Sequence, residues 1–594
     1  MIRTVLISLP LAAVASTMAA CGDEVAAPSG GELLAGAWTP DKTAPILEVT
    51  RQIALTAEPG VLTTAEAAAA AELVAAGVRL HTLYLEQVHP EGRAAEAALA
   101  AHPQREDLAT LFVVMKGPIA TTLTNTREPF LGVAPETPAR GVYPPGTTRE
   151  AFDAFLAAHP ERRAALLHPR YVVWAATPGN RARALAALDE HSVLDTLHPN
   201  LRAEIETAET YLAVPYSVAW AEDILFVYDR LNAAAHHVAA EDPAFARFLR
   251  LRARDLLADD YDGGDAAWVS SRFTGHLNAQ IGSYETYDDP LYGVKTFFAL
   301  SLLQRDVARS DELAAGIGDI QAVEDALPYE ANKRVRADIP VGAYAVIADF
   351  GQSRGANTAT ILPNEAHLSR QYGRTILIRG NIITHPELFA VTKAAYDAAI
   401  VDDQQDDLTA EGGYLRTLWH EVGHYLGADQ TADGRELDSA LQDSADLLEE
   451  MKADLVSLFA SHMLAERGLH DPARLKAIQA SGIRRVLQNN RPRRDQPYNT
   501  MQLIQWNWFV EHGVLAFEDG EIRVDYARYP AATEGLLGEV LELQRNGDRA
   551  VAEEFIGRWT DWDESRHGET ARRIREAQTV RYTAFSYPAV GAPR

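Results

Sequence analysis

The sequence predicts an α+β fold in which helices dominate, and three observations carry that reading. Runs of helical periodicity with recognisable N-caps recur along most of the chain. Strand-like runs are few, short and weakly alternating. No tandem repeat, coiled-coil heptad or phosphate-binding glycine loop imposes another architecture. With 594 residues and 47% hydrophobic content the chain can bury a substantial core, and its length suggests several lobes or domains. A net charge of −28 argues against nucleic acid as a partner, because phosphate binding needs a basic face.

Residues 1–20 read as a secretory signal: Arg3 is the positive end, and Val5 to Ala20 is apolar but too short for a membrane span. Met18-Ala19-Ala20 precedes Cys21, a pattern that resembles a bacterial lipobox with Cys21 as the lipidated residue. Cys21 is the only cysteine, so no disulfide can form within one chain. The plainer alternative is an ordinary signal with an incidental cysteine. Gly22 to Gly31 then forms a flexible tether, and no later stretch is apolar enough to cross a membrane. These readings predict a lipid-anchored protein of a bacterial envelope facing the periplasm, touching the membrane through that anchor alone.

Thr63 or Thr64 caps an Ala-rich helix through Ala76, with Glu66 in its first turns, and Arg79 to Val88 belongs to the next helix. Leu111 to Met115 is short, apolar and β-branched, which predicts a strand. His81 and His89 read as surface or packing histidines. Pro144-Pro145-Gly146 breaks the chain before a helix that Thr147 or Thr148 caps. Arg170 to Trp174, Tyr344 to Ile347 and Thr375 to Arg379 are predicted strands. Glu204 to Leu212, Ala219 to Ala234, Met501 to His512, Ala531 to Arg545 and Ala550 to Trp559 are predicted helices. Trp506, Trp508 and Phe509 read as core, and Arg491, Arg493 and Arg494 as a solvated loop or a seat for a substrate carboxylate.

The chemistry concentrates in Thr417-Leu418-Trp419-His420-Glu421-Val422-Gly423-His424, an HExxH run. On a helix, His420 and His424 share a face and can hold one metal ion, while Glu421 lies beside them to take a proton from a metal-activated water. Gly412-Gly413 begins this helix and Gly427 ends it. A catalytic zinc normally takes three protein ligands. The third is expected downstream, in an amphipathic helix through Leu448-Glu449-Glu450-Met451-Lys452-Ala453-Asp454. There Glu450 can bind the metal and Asp454 can accept the second N–H of a ligating histidine. Glu449 reads as solvated, or as backing a ligand, rather than as a ligand itself. The opposing view is two surface histidines beside a solvated acidic helix. Two further stretches carry polar groups that could meet a peptide. Glu285 and Tyr287 alternate, so on a strand they share a face, where one could hold an amine and the other an oxyanion. Turn chemistry before Pro290 is the simpler account. Asn364 is either a turn residue or an amide that grips a peptide backbone.

Taken together, these segments resemble the dipeptidyl peptidase III family of zinc peptidases. Glu449 to Asp454 resembles its EExxAD motif, Glu285-Thr286-Tyr287 with Asp289-Pro290 its ETYxDP segment, and Leu362-Pro363-Asn364 with Gly380-Asn381 its xxPN…GN stretch. Tyr143-Pro144-Pro145 and Thr148 to Phe152 are similar to a segment of the plant and bacterial branch related to Nudix-fused proteins, although no Nudix box is present. The resemblance implies one zinc per chain on His420, His424 and Glu450, with Glu421 as base. It implies that Glu285 and Asn364 hold a substrate amino terminus and that Tyr287 steadies the oxyanion. It also implies two lobes around a wide cleft, with zinc on the mainly helical lobe and the smaller β-containing core in the other. Residues 33–305 with 343–390 would form the substrate lobe, and 306–342 with 391–594 the catalytic lobe. The expected function is a zinc metallopeptidase that releases dipeptides from peptide amino termini. The rivals are a zinc-containing peptide receptor without activity and a zinc hydrolase of a non-peptide bond. Three departures stand out. Many members have HExxGH, one residue longer than the spacing here. Ile361 stands where an asparagine is common. The stretch Gln496 to Gln505 holds no counterpart of the family's transition-state histidine.

Overall fold

A computed structural model describes residues 30–590, apart from 59, 319, 331, 336–339, 356, 363–367, 369–370, 488–490 and 492–496. The expectations for residues 1–29, including the signal, Cys21 and most of the tether, and those for Asn364, Arg493 and Arg494 lie outside the described residues.

The architecture is α+β with helices in the majority. Helix α1 (Thr64–Val88) starts with a capping box: the Thr63 side chain accepts from the Glu66 N–H, and Glu66 Oε2 accepts from the Thr63 N–H. It does not stop at Ala76 as the sequence predicts. Gly77 continues it, because a Cβ there would lie 2.3 Å from the Phe350 ring; the glycine makes room for packing rather than ending a helix. After α2 (Gly92–Ala100), the predicted strand at Leu111 to Met115 is instead the end of helix α3 (Glu106–Met115). Leu108, Leu111 and Phe112 bury one face at helical spacing, and Glu106 and Asp107 supply an acidic first turn. Left-handed Lys116 (φ 55°) closes it. The predicted helix at Glu204 to Leu212 ends at Thr207, and Tyr211–Pro215 forms a strand antiparallel to Tyr171–Ala175.

The central sheet has five strands: β1 (Leu277–Ser283), β2 (Phe298–Asp306), β3 (Val341–Gly351), β4 (Ala359–Leu362) and β5 (Thr375–Arg379). Their spatial order is β1-β2-β3-β5-β4, antiparallel except for the β3–β5 pair. Side chains alternate across this sheet, so it serves two cores. On β5, Leu377 joins a first core with Leu80, Val227 and Leu300, while Ile376 and Ile378 join a second with Trp419, Met451 and Phe509. The second core is built by helices α4 (Ala410–Gly423), α5 (Ala445–Glu466), α6 (Pro472–Val486), α7 (Pro497–Glu511) and α8 (Tyr529–Asn546). The chain then returns to the first core. Tyr582–Ser586 pairs in parallel with Thr50–Ala54, and Phe585 is buried beside Ile53. Among the described residues no helix is long and apolar enough to cross a membrane.

Candidate active site

Helix α4 carries the HExxH run. Thr409 caps it by accepting from the Gly412 N–H. The helix ends at Gly423 rather than at Gly427, but His424 keeps right-handed helical angles (φ −66°, ψ −20°), so the four-residue spacing still sets both rings on one face. Helix α5 lies against this face at backbone distance. A Cβ on Gly423 would come within 2.9 Å of Ala453 Cα and of its carbonyl oxygen, so only glycine allows the approach.

That approach brings His420, His424 and Glu450 together, with one ligand atom from each within 4.8 Å of the others. His420 Nε2 lies 3.3 Å from Glu450 Oε2, and His424 Nε2 lies 4.0 Å from Glu450 Oε1. The imidazoles stand at 87° to each other, with centroids 5.0 Å apart. Each histidine donates its other ring nitrogen to a separate carboxylate. His420 Nδ1 donates to Asp454 Oδ1 at 2.8 Å, and His424 Nδ1 donates to Glu449 Oε1 at 2.9 Å. Both Nε2 atoms are thereby turned toward Glu450, in the tautomer a divalent metal requires. Glu450 Oε2 is buried and accepts no hydrogen bond among the described residues. A buried carboxylate oxygen without a donor is costly, and a cation between the three side chains would satisfy it. Two imidazoles and one carboxylate are a donor set for zinc.

The supporting carboxylates are themselves held. Asp454 is buried, and Arg416 Nη1 donates to it at 2.8 Å and Arg485 Nε at 3.3 Å. Burial works against its charge, but Arg485, Arg416 and His420 prevail and hold its carboxyl well below the usual range. Burial likewise opposes the charge of Glu449, which Lys452 and His424 keep ionised; Lys452 Nζ donates at 2.8 Å and Gln544 Nε2 at 3.1 Å. Burial lowers the affinity of His420 for a proton, yet Asp454 and Glu450 overcome it and raise its pKa to about 9. Glu421 is half-buried next to His420 on the same helix.

The other predicted residues divide. Glu285 and Tyr287 are not on a strand: β1 ends at Ser283 and the segment turns, with the Asp289 N–H bonded to the Thr286 carbonyl at 2.9 Å. Asp289 organises that turn. It accepts the N–H groups of Leu291, Tyr292, Val294 and Lys295, and the Tyr143 hydroxyl at 2.9 Å, which joins the ETYDDP and YPP segments. The turn sends Tyr287 outward, 81% exposed. Partial desolvation, then the charges of Glu285 and Glu450, push its pKa above the usual phenol range. Tyr287 therefore stands within electrostatic reach of the metal group.

Sequence reasoning missed Tyr498. It lies in the first turn of α7, its ring lies 5.2 Å from the Arg485 guanidinium, and Glu450 is the charge that acts most on its hydroxyl. Desolvation, Glu450 and Tyr287 push its pKa up. A search of that stretch for a histidine passed over it. Arg416 and Lys452 could have been found, because they lie four and three residues from His420 and Glu449 on the same helix faces.

No protein-family model matches the chain. Nudix hydrolase 3 of Arabidopsis thaliana is 25% identical over 356 residues, covering 58% of this chain but only 45% of that protein. The fold is that of solved dipeptidyl peptidase III structures. The enzyme from Caldithrix abyssi superposes with a TM-score of 0.78 at 22% identity, covering 92% of this chain and 99% of the other. The one from Corallococcus sp. strain EGB gives 0.73 at 23% identity, covering 92% and 97%.

Proposed function

We propose that this protein is a zinc metallopeptidase that removes dipeptides from the amino termini of peptides. The observation that carries the reading is the convergence of His420, His424 and Glu450 around a buried carboxylate oxygen that lacks a donor. The likeness to dipeptidyl peptidase III structures supports peptides as the substrate class. His420, His424 and Glu450 would hold zinc, which would supply a Lewis acid for the scissile carbonyl and for an attacking water.

The chain supplies the rest. Glu421 takes the proton of the attacking water and passes it to the leaving amine. Tyr287, exposed beside Glu285 and near Glu450, donates its O–H to the developing oxyanion. Glu285 meets the substrate ammonium, with Asn364 as a second contact. Asp454 and Glu449 fix the two imidazoles, so ring rotation does not have to be frozen at each turnover. Lipidation at Cys21 would tether the enzyme to the bacterial envelope, facing the periplasm.

The test is paired: zinc content of the purified mature protein, and mass-spectrometric products from a mixed peptide library. Stoichiometric zinc with dipeptides released from amino termini is the expected result. Zinc without cleavage would leave a peptide receptor, and absence of zinc would overturn the reading at His420.

A further inference from the structure

Away from the metal group, a pocket of about 490 Å³ opens between α1, α2, α3 and the turn that follows β3. Its walls are apolar: Leu85, Leu99, Ala109, Phe112 and Val113. Two cations are set into it, and neither belongs to the peptidase chemistry. Arg354 is 9% exposed, and its Nε has no hydrogen-bond acceptor among the described residues. Its Nη2 makes a long contact of 3.4 Å with the Phe585 carbonyl. Lys116, the left-handed residue that ends α3, points its Nζ to the Gln352 carbonyl at 3.1 Å. Gly355 (φ +145°) lies against that ammonium; a Cβ there would sit 3.3 Å from Nζ. The backbone is thus shaped around the cation.

The neighbouring acids act on this pair only through their charge, Asp288 and Asp349 on Lys116 and Glu96 and Asp349 on Arg354; among the described residues the hydrogen bonds of both cations go to backbone carbonyls. Asp288 is engaged by the Tyr84 hydroxyl and the Gln352 amide. Asp349 is a buried sheet residue whose charge is shared among Arg379, Lys116 and Arg354. Glu96 faces neutral His81 at 3.7 Å, and Glu106 lies at the exposed edge. His81 is neutral because its Nδ1 accepts the Gly351 N–H at 3.0 Å and burial drives its pKa down to about 3. Burial also pushes Lys116, Arg354 and Glu96 toward their neutral forms. Two desolvated donors at one end of an apolar pocket lack a hydrogen-bonded anion, and an apolar body alone would leave Arg354 Nε unsatisfied.

We propose that this pocket is a ligand site for a small organic carboxylate with an apolar body. The carboxylate is received by Arg354 and Lys116, and the body lies against Leu99, Phe112 and Val113. Arg accepts a carboxylate through two parallel N–H groups, and the apolar walls exclude the water that would screen the pair.

The experiment is isothermal titration calorimetry of the zinc-loaded protein with decanoate, kept below its micelle-forming concentration. Decanol, acetate and decyltrimethylammonium serve as comparators. The expected result is saturable binding of decanoate, at least tenfold tighter than decanol, with no binding of acetate. Arg354→Met should weaken decanoate at least tenfold. Ala109→Trp, which fills the pocket without touching either cation, should abolish binding while the thermal unfolding midpoint is kept. Equal binding of decanol would reduce the pocket to a plain apolar hole. Preference for decyltrimethylammonium would transfer the site to Glu96 and overturn the assignment. So would a decanoate isotherm that Ala109→Trp leaves unchanged, or no binding at all.

Discussion

His424 Nδ1 donates to Glu449 Oε1 across 2.9 Å, and the same carboxylate oxygen takes the Lys452 ammonium at 2.8 Å. Glu449 therefore sets the ring of His424 without binding the metal itself. Glu449→Gln keeps the shape but removes the charge. It should weaken zinc binding by ~10- to 100-fold, read by competition with a chromogenic chelator. Unchanged affinity would mean that His424 is oriented by packing alone.

Glu421→Gln should leave zinc content at one per chain and lower peptide hydrolysis by at least ~100-fold, the usual weight of a positioned base. Metal analysis and product release on the same preparation separate the two effects. Residual activity near that of the parent would remove Glu421 from the proton path.

Tyr498→Phe removes the hydroxyl on which Glu450 acts and keeps the ring on Arg485. If that hydroxyl acts during the reaction, kcat falls by about tenfold while KM holds, the mark of an interaction made chiefly in the transition state. Equal changes in kcat and KM with loss of zinc would instead identify a brace for Glu450.

Gly423→Ala forces a methyl to within 2.9 Å of the Ala453 backbone. Helices α4 and α5 must separate, at a cost of roughly 1–3 kcal/mol as in other overpacked cores. The unfolding midpoint should drop, and zinc affinity should fall with it because the two helices supply different ligands. A variant as stable as the parent would show that the helix pair is free to slide.

Lys295 is fully buried, and its Nζ donates to the Leu166 and His168 carbonyls at 2.7 and 2.8 Å. Burial pushes its pKa down to about 7. The folded state therefore sheds the proton earlier than the unfolded chain does. Between about pH 7 and the ordinary lysine pKa near ~10, the unfolded state binds more protons, so this residue makes stability rise with pH. Urea midpoints at pH 7 and pH 9 should show a larger gain for the parent than for Lys295→Met, by on the order of 2 kcal/mol. Parallel pH profiles would contradict the assignment.

The approach of His420, His424 and Glu450 was legible in the sequence because the spacing within each pair of residues is a property of a single helix. His420 with His424, and Glu450 with Asp454, need only a period of 3.6 residues to share faces. Thr63 with Glu66 was equally local, and the capping box is present. The errors came where tertiary packing decided. Leu111 to Met115 has the composition of a strand, yet its burial at positions 108, 111 and 112 belongs to a helix docked by one face. Gly77 reads as a helix end in a chain that does not reveal Phe350 lying over it. Tyr287 gained its place from a turn built on Asp289, whose partners include Tyr143, far away in sequence.

Strand Thr50–Ala54 pairs with Tyr582–Ser586, so one segment waits for a partner made hundreds of residues later. During synthesis the Leu55 N–H lacks its final acceptor, the Ser586 carbonyl, until the ribosome has added residue 586. The second core, by contrast, draws all its members from residues 313–574 and can consolidate sooner. The closing strand thus acts as a late clasp: a chain that stopped before residue 582 would carry the complete metal group and still display an unpaired strand edge, the feature that invites association between molecules.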